Sequence, residues 1–307
     1  MLDQTQKEKV LAYCKIAEVS GALLTLKDLV ELLAIDASED ELEESISSDE
    51  MLSSKVFVES GLVLLRHPGS DRVSAKEAAE REDERRRRAM ANLEAARGFA
   101  RLLSKDTVFV AVAGTNSYLS AAVNDDIDFY CVTKTDGMWV FMLTSLFLSR
   151  VFSTVRRLTP QFDFSFVMDE RTAKDELSIP KGALYARDTL NAKVISGSNA
   201  YRTILENAGW MRSYFPTLYE RRLAEVGSAE GRNPPAKKGS RIVNTWLFHT
   251  LGSYVALRAW ILNRKLAKEG RTDAIFKTWI GPGRLEYAAR RYVDLEKMYQ
   301  GLEKRRT

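Results

Sequence analysis

Apolar side chains recur at helical spacing through the first third of the chain. Val10, Leu11, Cys14 and Ala17 mark one face of a helix over about 4–19. Leu26, Leu29, Val30 and Leu33 predict a second helix behind Thr25, whose hydroxyl suits an N-cap. A third starts at Ser38, with Asp40 and Glu41 in its first turn, where the helix dipole favours acids. Within 55–65, two runs of β-forming residues flank Glu59-Ser60-Gly61, the signal of a hairpin. Residues 73–104 then predict a long charged helix, with Leu93, Ala96, Ala100 and Leu103 as its core stripe.

The period changes at residue 108. Val108-Phe-Val-Ala-Val-Ala113 is a continuous apolar run of strand length that stops at Gly114. A short helix, a strand over 126–133, a helix over about 137–153 and a strand over 162–167 follow. That alternation predicts a small mixed sheet with helices packed on it. Downstream, 198–226 and 242–268 read as helices, separated by a Gly/Pro/Lys linker over 227–239, and a last helix is expected from about 285 to 304. The fold class is α+β in four parts: a front module over 1–70, a connecting helix over 71–105, a central domain over 106–197 and a helical region over 198–307. The front's order of three helices and a hairpin is that of a winged helix.

Charge separates the two ends. Among the 307 residues, 1–68 hold 6 basic and 14 acidic side chains, net −8, whereas 212–307 hold 20 basic and 9 acidic, net +11. An acidic front repels phosphate, so it reads as a protein-contact module rather than a DNA reader, and a nucleic-acid partner is expected at the basic back. The four arginines of Glu84-Arg-Arg-Arg-Arg88 have acids within helical reach and read as a solvated, ion-paired face. Two cysteines, Cys14 and Cys131, cannot build a disulfide framework or a four-thiolate zinc site. The apolar stretch 138–152 is short of the roughly 20 residues a span needs, and polar residues interrupt 242–262, so a buried bundle helix, no membrane contact and a cytoplasmic protein are expected.

The chemistry concentrates in Val112-Ala-Gly-Thr-Asn-Ser-Tyr-Leu-Ser-Ala-Ala-Val-Asn-Asp-Asp-Ile-Asp-Phe129. Gly114-Thr115, with Ser117 behind them, stands where a buried strand turns into a helix, so backbone N–H groups can face a phosphate. Ten residues later, Asp126-Ile127-Asp128 opens the next strand. Side chains at i and i+2 share a face, which brings the two carboxylates together while Ile127 and Phe129 enter the core. Asp163 lies on a later strand, opposite the alternating Phe162, Phe164 and Phe166. Converging carboxylates need neutralising, and oxygen ligands suit Mg²⁺ or Mn²⁺. A pair of such ions can clamp both oxygens of an in-line displacement at phosphorus.

Gly114-Thr115, ten residues, then Asp126-Ile-Asp-Phe resembles the signature of the DNA polymerase beta-like nucleotidyltransferase superfamily. The front module, the charged helix, Leu184-Tyr-Ala-Arg-Asp-Thr-Leu190 and Tyr201-Arg-Thr-Ile-Leu-Glu-Asn-Ala-Gly-Trp210, with Arg212 and Phe215-Pro216, are similar to uncharacterised bacterial and archaeal proteins that carry such a domain. Position 115 is Thr where the signature has Ser or Gly, and in that group an Asn is expected near Ser165 with no clear acid at 163. Asp163 therefore rests on strand alternation alone.

The resemblance implies a palm-like domain that moves a nucleoside monophosphate from an NTP to an acceptor hydroxyl, releasing pyrophosphate. It makes Asp126 and Asp128 the catalytic metal ligands and Gly114, Thr115 and Ser117 the phosphate cradle; strand alternation, not the resemblance, adds Asp163 as the third catalytic ligand. The basic back makes an RNA or tRNA end the first-choice acceptor, and Tyr287, Arg290, Arg291 and Tyr292 mix the aromatic and basic character that suits an RNA strand. The competing expectation is a catalytically degenerate domain serving as a nucleotide sensor or protein scaffold. His67 and His249 have no metal-ligating neighbours, which disfavours His-dependent triads and zinc hydrolysis. Trp246, Tyr254 and Trp260 are expected in the core.

Overall fold

In the computed structural model the described residues are 2–20, 23–66, 75–103, 105–156, 161–227 and 239–303. Nearly all of the expected 227–239 linker and His67 lie outside them.

The front follows the expected order, with one extra turn. Helices Gln4–Ser20, Leu26–Leu33 and Glu39–Ser48 and the turn Glu50–Ser53 lead into antiparallel strands β1 (Val56–Glu59) and β2 (Leu62–Leu65). Thr25 and Ser38 both close reciprocal capping boxes, Thr25 with Asp28 and Ser38 with Glu41. Each such cap contributes about 1 kcal/mol. Ser60 and Gly61 both have positive φ, +54° and +76°, as a two-residue hairpin turn with the right twist requires. A bridge between Thr25 and Leu62 ties the second helix to this hairpin.

Helix Ala75–Leu103 carries the chain to the sheet, and Leu93, Ala96, Ala100 and Leu103 are buried as the stripe predicted. Two of its arginines do more than face solvent. Arg85 donates to Ser120 Oγ at 3.4 Å and Arg88 to the Ala121 carbonyl at 2.9 Å, which fastens the helix to the loop before Asp126.

The remaining strands are β3 (Thr107–Val112), β4 (Ile127–Thr133), β5 (Phe162–Asp169), β6 (Lys193–Ser196), β7 (Phe276–Gly281) and β8 (Arg284–Ala289). They form one mixed sheet in the order β6-β3-β4-β5-β8-β7. Only β4 and β5 run parallel, joined by the crossover helix Met138–Arg156; the other pairs are antiparallel. Alternation sorts the strand residues onto two faces. Phe109, Ala111, Tyr130, Val132 and Met168 pack under helices that include Ala183–Asn191 and Ser198–Asn207, in a core continuous with that of the front. Val110, Val112, Phe129, Cys131 and Val167 pack against Phe99, Trp139 and Phe141 on the other face.

Three expectations are corrected. The region after 198 is not purely helical, because β7 and β8 extend the central sheet and the last helix spans Arg290–Glu303 rather than starting near 285. Leu285, Glu286 and Ala288 are good helix formers, but the Pro282-Gly283 turn and pairing with β5 override that preference. Second, Trp246, Tyr254 and Trp260 are exposed, at 64%, 54% and 56%, not in the core. The segment is rich in apolar residues, yet only one set of them, including Leu247, Phe248, Leu251 and Val255, packs on the core, and a π-helical turn at Phe248–Gly252 interrupts its α-helical spacing. Third, the apolar stretch expected over 138–152 continues. Met138–Val155 is, by length and composition, long and apolar enough to cross a membrane. Met138, Trp139, Phe141 and Met142 are buried, while Leu143, Phe147, Val151 and Val155 form an exposed stripe.

Candidate active site

The site begins where β3 stops. Ala113 N–H still bonds the Asp128 carbonyl at 2.9 Å, and the chain then turns sharply at Gly114, φ +62°. Glycine is required here twice over: its φ is left-handed, and a Cβ would collide with Asp128 Oδ2. The following turn, Gly114–Ser117, is held by its own side chains. Thr115 Oγ1 donates to Asp125 Oδ2 at 2.8 Å, and the same oxygen accepts Ala122 N–H at 2.7 Å. Buried Asn116 donates to the Asp126 carbonyl at 2.8 Å and accepts from Asn92 at 2.8 Å. Ser117 is 1% exposed and its hydroxyl donates to the Gly114 carbonyl at 2.7 Å. The expected phosphate contact from Ser117 is thus corrected, since its hydroxyl builds the turn. Thr115 likewise anchors Asp125, and Gly114 remains the residue of this trio that lies against the acids.

β4 and β5 bring the three expected acids into one neighbourhood. Ile127 and Phe129 are fully buried, which leaves Asp128 on the opposite face, with Asp126 exposed just ahead of the strand. Asp128 pairs in register with Asp163 across the parallel β4–β5 ladder, so the two carboxylates share a face. Beyond them β5 holds one more residue than β4 before Tyr130 meets Phe166, a bulge that inserts Ser165. Phe162 and Phe164 are buried on the far side.

The electrostatics of this group are compensated only in part. Burial, then Asp163, Asp126, Asp125 and Asp188, push the Asp128 carboxyl well above its ordinary range, and among the described residues no side-chain hydrogen bond to it offsets them. Asp163 is raised to about 6, by burial first and the Asp126 charge second, against hydrogen bonds from Phe164 N–H and Ser165. Asp126 is raised by partial burial and by Asp125, although it accepts from Gln161 N–H. A carboxylate crowded by other acids and given no side-chain donor is the environment a divalent cation relieves. The residues present therefore fit such an ion in chemistry. They are not a ready-made cage: among the described residues no three His, Cys, Asp or Glu side chains stand together as one. The three carboxylates lie near one another without a closed cage, as mutual repulsion and the exposed position of Asp126 lead one to expect.

Asp128 opens onto a cavity of ≈ 240 Å³ between the sheet, helix Ala183–Asn191 and the last helix. Besides Gly114, its wall carries Asp188 and Glu286 as further acids, and Tyr130, Phe166, Tyr185, Tyr287 and Tyr292 as aromatics. Asp188 accepts from Tyr118 at 2.6 Å and from Tyr292, and burial raises its carboxyl. Glu296 of the last helix accepts Ala183 and Leu184 N–H at 3.2 and 2.8 Å, capping the helix that presents Tyr185 and Asp188. Tyr287 and Tyr292 from the expected aromatic-basic set thus reach the Asp128 cavity, whereas Arg290 does not line it. Tyr130, Tyr185, Asp188 and Glu286 escaped sequence reasoning. The i, i+3 spacing of Tyr185 and Asp188 was the one available signal for a shared helix face. The basic residues Lys181 and Arg202 are engaged with Glu176 and Glu206.

Comparison of the chain with protein families, curated proteins and solved structures finds no match.

Proposed function

We propose that this chain is a metal-dependent nucleotidyltransferase, which moves a nucleoside monophosphate from an NTP to an acceptor hydroxyl and releases pyrophosphate. The observation that carries the reading is Asp128: a carboxylate pressed against a glycine turn, raised by burial and then by Asp163 and Asp126, with no side-chain donor to it among the described residues, at the mouth of a cavity. Asp126, Asp128 and Asp163 would hold Mg²⁺ or Mn²⁺, which when bound neutralises phosphate charge and makes the acceptor hydroxyl more acidic. Gly114 lets the phosphates approach that edge, because no side chain stands between its backbone and Asp128. Asp163 orients the acceptor. The acceptor oxygen forms the new bond to the α-phosphorus, its proton passes to a neighbouring carboxylate, and the bond to the β-phosphate oxygen breaks. The catalysis is mainly positioning and charge neutralisation. The front, with its helices and hairpin, serves as a winged-helix-like protein-contact module, and the basic back is the surface for an RNA or tRNA acceptor.

A second reading, a degenerate domain that senses nucleotides or acts as a scaffold, is favoured by one observation, the Thr115 and Ser117 hydroxyls being committed within the protein. The test is incubation with each α-³²P-labelled NTP, ATP included, Mg²⁺ or Mn²⁺, and total RNA, beside an Asp126→Ala/Asp128→Ala variant. Label that moves to an acceptor only with the intact acids supports transfer. NTP binding without transfer to any acceptor supports the sensor.

A further inference from the structure

The inner part of the Asp128 cavity is built for a ligand of a particular charge. Its described lining contains three acids, Asp128, Asp188 and Glu286, and no Lys, Arg or His. Glu286 is 9% exposed and is fixed by Arg284 at 2.6 Å, a guanidinium that does not itself line the cavity. Two phenols complete the wall. Tyr130 and Tyr185 are 3% and 9% exposed, and neither hydroxyl makes a well-formed hydrogen bond among the described residues, although the two are close enough to act on each other. The two are neighbours of each other and of Glu286: after burial, the main cause, the Glu286 charge raises both hydroxyls and Tyr130 raises Tyr185, whereas Tyr185 lowers Tyr130. Folding leaves buried polar groups unpaired only rarely, and such a pair facing a cavity waits for a ligand that can accept or donate.

A wall of carboxylates and aromatic faces repels phosphate and attracts a cation carried on a carbon frame. A bare metal ion accounts for Asp128 but not for the two phenols or the tyrosine rings. We infer that this cavity is the acceptor subsite and takes a small molecule that carries an ammonium group beside its reactive hydroxyl. The ammonium sits among Glu286, Asp188 and the tyrosine rings, and the hydroxyl lies toward Asp128. This inference rests on the transferase reading and replaces its RNA acceptor with a small molecule, since an RNA backbone brings the same negative charge as the wall. The volume, ≈ 240 Å³, is below the roughly 300–1,000 Å³ of drug-sized sites and suits the reactive end of a small acceptor.

The experiment uses two matched pairs of probes that differ in one group: serinol against glycerol, and glucosamine against glucose. Each is offered to the full chain with Mg²⁺ and each α-³²P-labelled NTP, and separately, without NTP, in a thermal-unfolding titration. The expected result is label transfer at least tenfold faster to the amine of each pair, and a rise in unfolding temperature with the amines only. Tyr185→Phe removes a hydroxyl without a well-formed hydrogen bond, so the fold should be unharmed while the amine-dependent rise is lost; Glu286→Gln should weaken it in the same way. Equal transfer to both members of a pair, or transfer to added RNA alone, overturns the ammonium subsite and leaves the transferase reading standing. Amine-dependent stabilisation that vanishes in Tyr185→Phe, with no transfer to anything, supports the subsite and sinks the transferase reading. No transfer and no stabilisation overturns both.

Discussion

Asp163→Asn should make the metal-free protein more stable at neutral pH. In the folded chain the Asp163 carboxyl is raised to about 6 from its ordinary 3.8, by burial and by Asp126. The group therefore holds its proton more tightly folded than unfolded, and the folded state loses relative stability as pH rises from about 4 through about 6. That gap is worth about 3 kcal/mol when Asp163 is fully ionised. Asn carries no charge and keeps an oxygen for the Phe164 N–H and Ser165 donors, so most of the penalty should be relieved. The expected gain is about 1–3 kcal/mol at pH 7.5 with a chelator present, shrinking toward zero at pH 4, where Asp163 is protonated in the wild type. Urea unfolding at both pH values measures it, with equal slopes confirming that the folded states are comparable. A variant less stable than wild type at pH 7.5 in chelator would refute the claim that ionised Asp163 is a net destabilising charge in the metal-free fold.

Gly114→Ala should be among the most damaging single changes, costing about 1–3 kcal/mol for the left-handed backbone alone and more for the collision with Asp128; thermal unfolding checks it, and a neutral result would contradict the described turn. Glu296→Ala should cost about 1–2 kcal/mol, because it uncaps the helix that carries Tyr185 and Asp188, and amide exchange should rise first at Ala183 and Leu184. Stabilisation by Mg²⁺ should grow as pH rises from 5 to 7, since bound metal displaces the proton that Asp163 retains up to about 6, and calorimetry in buffers of different ionisation enthalpy should report protons released.

Much of this fold is legible in local pattern. The front helices announce themselves through Thr25-x-x-Asp28 and Ser38-x-x-Glu41 spacing, and β3, β4 and β5 through continuous or alternating apolar runs. The shared face of Asp128 and Asp163 follows from alternation once the two strands pair in parallel. What escaped is decided by long-range contact. Leu285 and Glu286 favour a helix and become strand because β5 offers a free edge. Trp246 and Trp260 have the composition of core residues, and only the packing of one helix face shows that they lie outside. The cavity gathers Tyr130, Tyr185, Glu286 and Tyr292 from four separate elements, a juxtaposition no sequence window contains. Ser117 sits in the motif at the expected place, but its rotamer spends the hydroxyl on the Gly114 carbonyl.

The central claim is that the acids around Asp128 are held for a divalent cation, and Mn²⁺ binding followed by electron paramagnetic resonance tests it most directly. The account predicts saturable binding of one or two Mn²⁺ per chain at pH 7.5, weakened at least about tenfold in Asp128→Asn with unchanged circular dichroism, as expected when a ligand at such a site is lost. Binding of the same strength in Asp128→Asn, or no saturable binding by the wild-type chain with or without NTP, would contradict it.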